Sequence, residues 1–272
     1  MTNANGKHRG NEIPMERILK ASVALLFVFL GASCANVQTN VAGKPPGYYF
    51  ETVEVAALVT AIANGKFDEA DQALKAGADV NAVGAEGMSP LLWVMGTTLN
   101  LNKIEYLLKA GANPNYQSAP WLISPMYLAA GGNRSDILEL LLKHRGDPNL
   151  PGRRGQTLLM VAVMQFRDKN VELLLRYGAD ISQTDERGES VAATAAGMGR
   201  FDQVVFFLER GLKYDVRSLA RSVDVRQVPA NSEAQRWKDK AIEILKARGA
   251  TFPTLPLAEY DASGRARQAA RP

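Results

Sequence analysis

The stretch LELLLKHRGDPN, residues 138–149, decides the fold because the chain repeats it. Near-copies begin 34 residues earlier at Ile104 and 33 residues later at Val171, and further copies begin at Ala70, Val204 and Ile242. A fixed period of this size is typical of stacked supersecondary units, none of which can bury its apolar face alone. The sequence therefore predicts a repeat protein.

Each copy has the apolar spacing of an α-helix. Leu138, Leu141 and Leu142 stand at i, i+3 and i+4, which places them on one helical face. A glycine follows most of the copies, where a left-handed residue closes the last carbonyls of a helix: Gly77, Gly111, Gly178, Gly211 and Gly249. In the third copy this position is Arg145, with Gly146 next, so we expect that helix to end in a different way.

A second signature precedes these helices. It is a serine or threonine followed by an apolar run, which predicts an N-cap and a short helix, at Ser89, Ser124, Thr157 and Ser190. Ser89 and Ser124 are each followed by proline, which is tolerated at the first helical position. One unit is therefore a turn, a short helix, a long helix and a loop.

The GAD-x-N and [ST]-P-L…A-A elements at this period resemble ankyrin repeats over about residues 53–253. The resemblance implies an all-α ankyrin-repeat solenoid of about five to six helix-turn-helix repeats, which we place at residues 49–253. The histidine usual in the family is absent, since Leu92, Tyr127, Met160 and Ala193 take its place. Relative to the family pattern, the chain has one extra residue near residues 98–102 and an insertion before Trp237. Both bear on the geometry of loops and not on the fold.

The first 34 residues have the pattern of an export signal. Arg17 and Lys20 precede the uncharged run ASVALLFVFLGAS, and Cys34 follows it. The segment MERILK makes Met15 a plausible true start. The sequence LGASC resembles a relaxed bacterial lipobox, which implies cleavage before Cys34 and lipidation of that residue. Ordinary cleavage near Cys34, giving a soluble periplasmic protein, and an uncleaved anchor are the alternatives.

These features predict a protein of the bacterial cell envelope. By the sorting rule that the lipoprotein resemblance carries, Ala35 favours the outer membrane, with the protein facing the periplasm. Residues 35–48 contain two glycines and two prolines and are predicted to form a tether. Residues 254–272 are small, polar and basic, and are predicted to be a disordered tail.

The sequence contains few residues of the types that bind metals or act as catalytic bases and nucleophiles. The histidines and cysteine are His8, His144 and Cys34, which do not make a metal site. The recurring serines are explained as helix caps, and no glycine-rich phosphate loop of common spacing occurs. We therefore expect no enzyme activity, no cofactor, no metal and no small-molecule substrate.

Charge gives little support to nucleic-acid binding. The leader holds four of the 32 basic and two of the 28 acidic residues, so the remainder carries 28 basic and 26 acidic side chains. No basic stripe with interleaved aromatic residues is present. We expect no nucleic-acid partner.

What remains is the binding of another protein, by a curved surface of short helices and inter-repeat loops. The resemblance implies that the loop tips make the contacts, and the matching positions are Glu86, Met88, Trp121, Ile123, Arg153, Arg154, Gln156, Met164, Gln165, Glu186, Arg187 and Glu189. Trp121 with Arg153 and Arg154 is the favoured cluster, because Trp and Arg often dominate interfaces. An inhibitor or immunity-type protein, which neutralises a toxin or protects an envelope enzyme, is one alternative, and a hydrolase with an unrecognised site is another.

Overall fold

The computed structural model describes residues 43–213 and 216–254. Within these ranges the regular elements are thirteen α-helices and two short 3-10 helices, and no strand is formed. The chain divides into two compact units, residues 1–103 and 104–272. The predicted all-α fold class is confirmed.

The first unit is built on one central helix. Its helices are α1 (Pro46–Tyr49), α2 (Val53–Ala63), α3 (Phe67–Lys75) and α4 (Pro90–Thr97), and α5 (Leu101–Lys109) begins at its end. Helix α2 packs against α1, α3 and α4. Leu58, Ile62 and Trp93 are fully buried and form the core of this unit.

The second unit alternates short and long helices. The first helices of the repeats, called short here, are α6 (Pro125–Gly131), α8 (Leu158–Met164), α10 (Val191–Gly197) and the ten-residue α12 (Val216–Val225), which occupies the same place in the last repeat. The long helices are α7 (Ser135–Lys143), α9 (Asp168–Arg176), α11 (Phe201–Glu209) and α13 (Glu233–Ala247). Each short helix packs on its own long helix and on the next short helix, and α13 also packs on α11. Contacts between nearest neighbours are the packing expected of a repeat array.

The predicted N-caps are present. The side chains of Ser89, Ser124, Thr157 and Ser190 accept hydrogen bonds from the N–H three residues on, at 3.2, 2.9, 3.2 and 3.2 Å. All four side chains are buried. Each satisfies a backbone donor that would otherwise lack a partner at a buried helix start. These residues are therefore structural, as the repeated spacing predicts.

The end of helix α7 corrects one prediction. Arg145 adopts a left-handed conformation with φ of 69°, and the N–H of Gly146 donates to the Leu141 carbonyl at 2.9 Å. The equivalent bonds close the glycine-ended helices, for example from Ala179 N–H to Leu174 O. The prediction of a different closure was wrong, because packing imposes the shared geometry on an arginine. A Cβ on Gly146 would overlap the Leu141 carbonyl oxygen and Met126 Sδ, so a side chain there would require the surrounding atoms to shift.

The folded part begins before residue 49. Helix α1 starts at Pro46, and Lys44 Nζ contacts the Glu86 carboxylate at 3.1 Å. The last residues of the predicted tether are therefore part of the fold. At the other end, Thr254 donates two hydrogen bonds to Asp224, both at 2.7 Å. The predicted signal, Cys34 and the rest of the tail lie outside the described residues.

The apolar register predicted for the long helices is confirmed. Leu107, Leu141 and Leu174 have no exposed surface. These three residues occupy one position of the repeat, so the periodic leucines form the core, as the i, i+3, i+4 spacing requires. In the part of the chain that the structure describes, no helix combines the length and apolarity needed to span a bilayer.

Candidate protein-binding surface

Three loops of the second unit are tied together by repeated asparagines. The loops are residues 110–124, 144–157 and 177–190. Asn115 Nδ2 donates to Arg145 O at 2.8 Å, and its Oδ1 accepts from Asp147 N–H at 2.7 Å. Asn149 makes the same pair of bonds to Gly178 O and Asp180 N–H, at 3.1 and 2.7 Å. Each asparagine thus holds the next loop at a fixed spacing, which sets the geometry of the loop tips.

The favoured cluster is brought together at the first two of these loops. The Arg153 guanidinium carbon lies 4.7 Å from the centre of the Trp121 ring, within cation–π range. Trp121 is half-buried, whereas Arg153 and Arg154 are exposed. Leu122, which replaces the usual glycine, has φ of 54°, and its N–H donates to Ser118 O at 2.7 Å. The result is a half-buried indole covered by an exposed guanidinium, on a hydrogen-bonded loop.

The second and third loops meet through their backbones. Glu186 N–H donates to Arg154 O at 3.0 Å. Within the third loop, the Asp185 carboxylate accepts from the N–H groups of Arg187 and Glu189, at 2.9 and 2.8 Å. Glu186 and Arg187 are exposed, and Glu189 accepts the Thr194 hydroxyl at 3.2 Å. The predicted residues of this loop therefore lie beside those of the second.

Gln156 and Met164 form a less accessible pair. The Tyr127 hydroxyl donates to Gln156 Oε1 at 3.1 Å, and Gln156 Nε2 contacts Met164 Sδ at 3.6 Å. Burial raises the pKa of Tyr127 above its ordinary value. Gln165 is exposed, and Ile123 is half-buried in the first loop. Tyr127 takes the place of the usual histidine and positions Gln156, a role that its place in the repeat did not indicate.

The two predicted residues of the first unit are placed differently. Glu86 is exposed and binds Lys44 and the Tyr48 hydroxyl, at 3.1 and 3.2 Å. Met88 is only 6% exposed and lies in the core. The expectation that Met88 contacts a partner was based on its repeat position alone, and its burial removes it from the surface.

The structure contains a groove lined by arginines that the sequence pattern does not predict. A groove of about 570 Å³ lies between the third loop, α10 and α12, and is lined by Arg187, Gly188, Glu189, Ala193, Gly197, Ser218, Arg221, Ser222, Val225 and Arg226. Its arginines come from two repeats. The only available signal was that Arg221 on α12 and Arg226 just after it follow a loop that carries Arg187. The structure therefore adds Arg221 and Arg226 to the candidate surface.

Among residues 43–213 and 216–254, no group of three or more His, Cys, Asp or Glu side chains is placed to hold a metal ion. The exposed loop residues are positioned by hydrogen bonds that link one repeat to the next. These loops therefore hold their exposed side chains at fixed positions on the surface of the second unit.

Comparison with known proteins agrees with the repeat architecture. The family model described as "Ankyrin repeats (3 copies)" matches residues 99–185 and 126–218. Ankyrin repeat, SAM and basic leucine zipper domain-containing protein 1 of Dasypus novemcinctus is 29% identical over 123 residues, which are 44% of this chain and 26% of that protein. Human 2-5A-dependent ribonuclease is 35% identical over 65 residues, 24% of this chain and 9% of that protein.

A third relative is the human transient receptor potential cation channel subfamily A member 1, 29% identical over 89 residues, which are 32% of this chain and 8% of that protein. The matched segments thus span about a quarter of these relatives or less. The all-helical fold and these matches support ankyrin repeats within residues 99–218, and ankyrin repeats generally serve as protein–protein interaction modules.

Proposed function

We propose that this protein binds a partner protein of the bacterial cell envelope through the loop tips of its second unit, without chemistry of its own. The observation that carries this proposal is the stacking of Arg153 on Trp121, at 4.7 Å. An aromatic ring held by an exposed guanidinium is a rigid anchor, so little conformational entropy is lost when a partner covers it. The neighbouring Arg154 and Glu186 extend the surface into the next loop.

The test replaces the stacked pair Trp121 and Arg153, and compares the effect with that of replacing a second stacked pair outside the proposed surface. Trp121→Ala combined with Arg153→Glu should abolish recovery of the partner when the protein is used as bait in envelope extract. The control is Phe206→Ala combined with Arg210→Glu, because Arg210, the residue after α11, stacks on Phe206 at 3.5 Å, and neither residue belongs to the three loops. Circular dichroism should show both variants folded. Unchanged recovery by the Trp121 variant, or equal loss by the control, would refute the site.

The proposal includes a lipid anchor at Cys34. The support is the sequence LGASC after an apolar run, together with the fact that Cys34 is the only cysteine. Several acyl chains on one residue would hold the protein stably at a membrane, whereas one chain binds only marginally. Cys34→Ser should abolish labelling by a palmitate analogue and move the protein to the soluble fraction. A wild-type protein that is unlabelled and already soluble would contradict the anchor.

Absence of catalysis is part of the same proposal. One relative bears the name of a ribonuclease, but the matched segment covers only 9% of it. We therefore expect no turnover of RNA or of envelope substrates by the purified protein. Turnover that persists through purification and is lost on mutation of the second unit would overturn this expectation.

A further inference from the structure

The groove between the third loop and helix α12 is rich in positive charge. Arg187, Arg221 and Arg226 line it, against Glu189 as its one acidic lining residue. The Glu189 carboxylate already accepts the Thr194 hydroxyl at 3.2 Å. No described residue forms an ion pair with any of the three arginines. The groove therefore holds guanidinium groups that lack a carboxylate.

One of these guanidinium groups has an unsatisfied donor. Arg221 Nη1 is buried and has no hydrogen-bond partner among the described residues. A guanidinium with an unpaired buried donor and no carboxylate beside it carries an uncompensated charge, which a carboxylate bound in the groove would offset. By contrast, two other arginines of this unit have carboxylate partners. Arg200 binds Asp168 and Asp202, and Arg134 binds Asp136.

We infer that this groove binds the carboxylates of an acidic segment of the partner protein. A guanidinium matches a carboxylate with two parallel hydrogen bonds, so Arg221 and Arg226 would each provide a directional contact. The groove has no aromatic lining residue on which a nucleobase could stack, which favours a peptide over single-stranded RNA. Its volume of about 570 Å³ lies within the range of ligand-binding clefts.

The groove continues the surface proposed above. Arg187 and Glu189 belong to the same loop as Glu186, whose N–H donates to Arg154 O at 3.0 Å. A partner that covers Trp121 and Arg153 would therefore run toward the groove. This inference rests on the proposed function and adds the chemistry of the partner, an acidic stretch that follows the part bound by the anchor.

The experiment uses a fluorescein-labelled, C-terminally amidated peptide of six glutamates, followed by fluorescence anisotropy. The wild-type protein should bind it saturably, and more weakly as salt increases. Arg221→Gln and Arg226→Gln should each weaken binding by about tenfold or more, the scale of a lost hydrogen bond to a charged group. Arg176→Gln removes the same charge at an exposed residue outside the groove, and should change the affinity by less than about twofold.

Three results would overturn the inference: no saturable binding, equal weakening by Arg176→Gln, or preferential binding of a uridine dodecamer at the same arginines. Arg226 is exposed, so Arg226→Gln decides the matter if Arg221→Gln fails to fold. The Trp121 and Arg153 variant should still bind the glutamate peptide. Loss of partner capture in that variant, combined with no peptide binding by wild type, would refute the groove and leave the loop-tip surface standing.

Discussion

Asn170 offers a direct test of how one repeat stabilises the next. Its side chain is 1% exposed, and its Nδ2 lies within hydrogen-bond distance of the carbonyls of Ala129, Ala130 and Gly132, at 3.1, 2.9 and 2.9 Å. Asn170 therefore caps the C-terminus of the preceding short helix, α6. Lys103 does the same for Ala63 in the first unit, at 2.6 Å.

The expected decrease in the free energy of unfolding on Asn170→Ala follows from the carbonyl groups that lose their hydrogen-bond donor. Ala129 O also accepts from the N–H of Gly132 at 3.2 Å, so the loss falls mainly on the Ala130 and Gly132 carbonyls. Each buried carbonyl without a partner costs about 1–3 kcal/mol. The Asn170 Oδ1 is itself buried without a partner, and its removal offsets part of that cost. We expect a net destabilisation of about 2–3 kcal/mol.

The assay is urea unfolding of the purified protein, followed by far-UV circular dichroism, with Asn133→Ala as the matched control. Asn133 is exposed, so its replacement should change the free energy of unfolding by less than about 0.5 kcal/mol. Asn170→Asp should cost more than Asn170→Ala, because it turns a carboxylate oxygen toward the carbonyls. A loss below about 0.5 kcal/mol for Asn170→Ala, or one equal to that of the control, would refute this account of the cap.

Three further stability predictions use the same assay. Leu141→Ala should cost about 2–5 kcal/mol because Leu141 is fully buried, and a loss under about 1 kcal/mol would argue against the register. Gly84→Ala should cost about 1–3 kcal/mol, since its Cβ would overlap Tyr49 O, whereas Gly47→Ala has open space and should be neutral. Arg145→Gly should gain about 0.5–1 kcal/mol by relieving a left-handed arginine, and any loss would show that its side chain contributes contacts.

Much of the fold could be predicted from the sequence. The period of 33–34 residues, the i, i+3, i+4 leucines and the Ser and Thr caps all describe interactions within one repeat. Such interactions are local, so the pattern of residue types is enough to place them. The caps at Ser124 and Thr157 and the burial of Leu141 were therefore predicted correctly.

The candidate surface could be predicted only in part. The period indicates that adjacent loops meet, and Trp121 and Arg153 do stack. It does not indicate which loop residues face inward, and Met88 is in the core. It also missed Arg221 and Arg226, because a groove depends on how a helix of one repeat faces the loop of another.

The sequence by itself determined the repeat unit, its two helices and their apolar faces, because these follow from spacing along the chain. The tertiary structure alone decided the left-handed conformation of Arg145, the stacking of Arg153 on Trp121 and the unsatisfied guanidinium of Arg221. The physical reason is that each of these depends on neighbours that packing supplies. Side chains about one repeat apart have no fixed direction toward each other until their repeats are stacked.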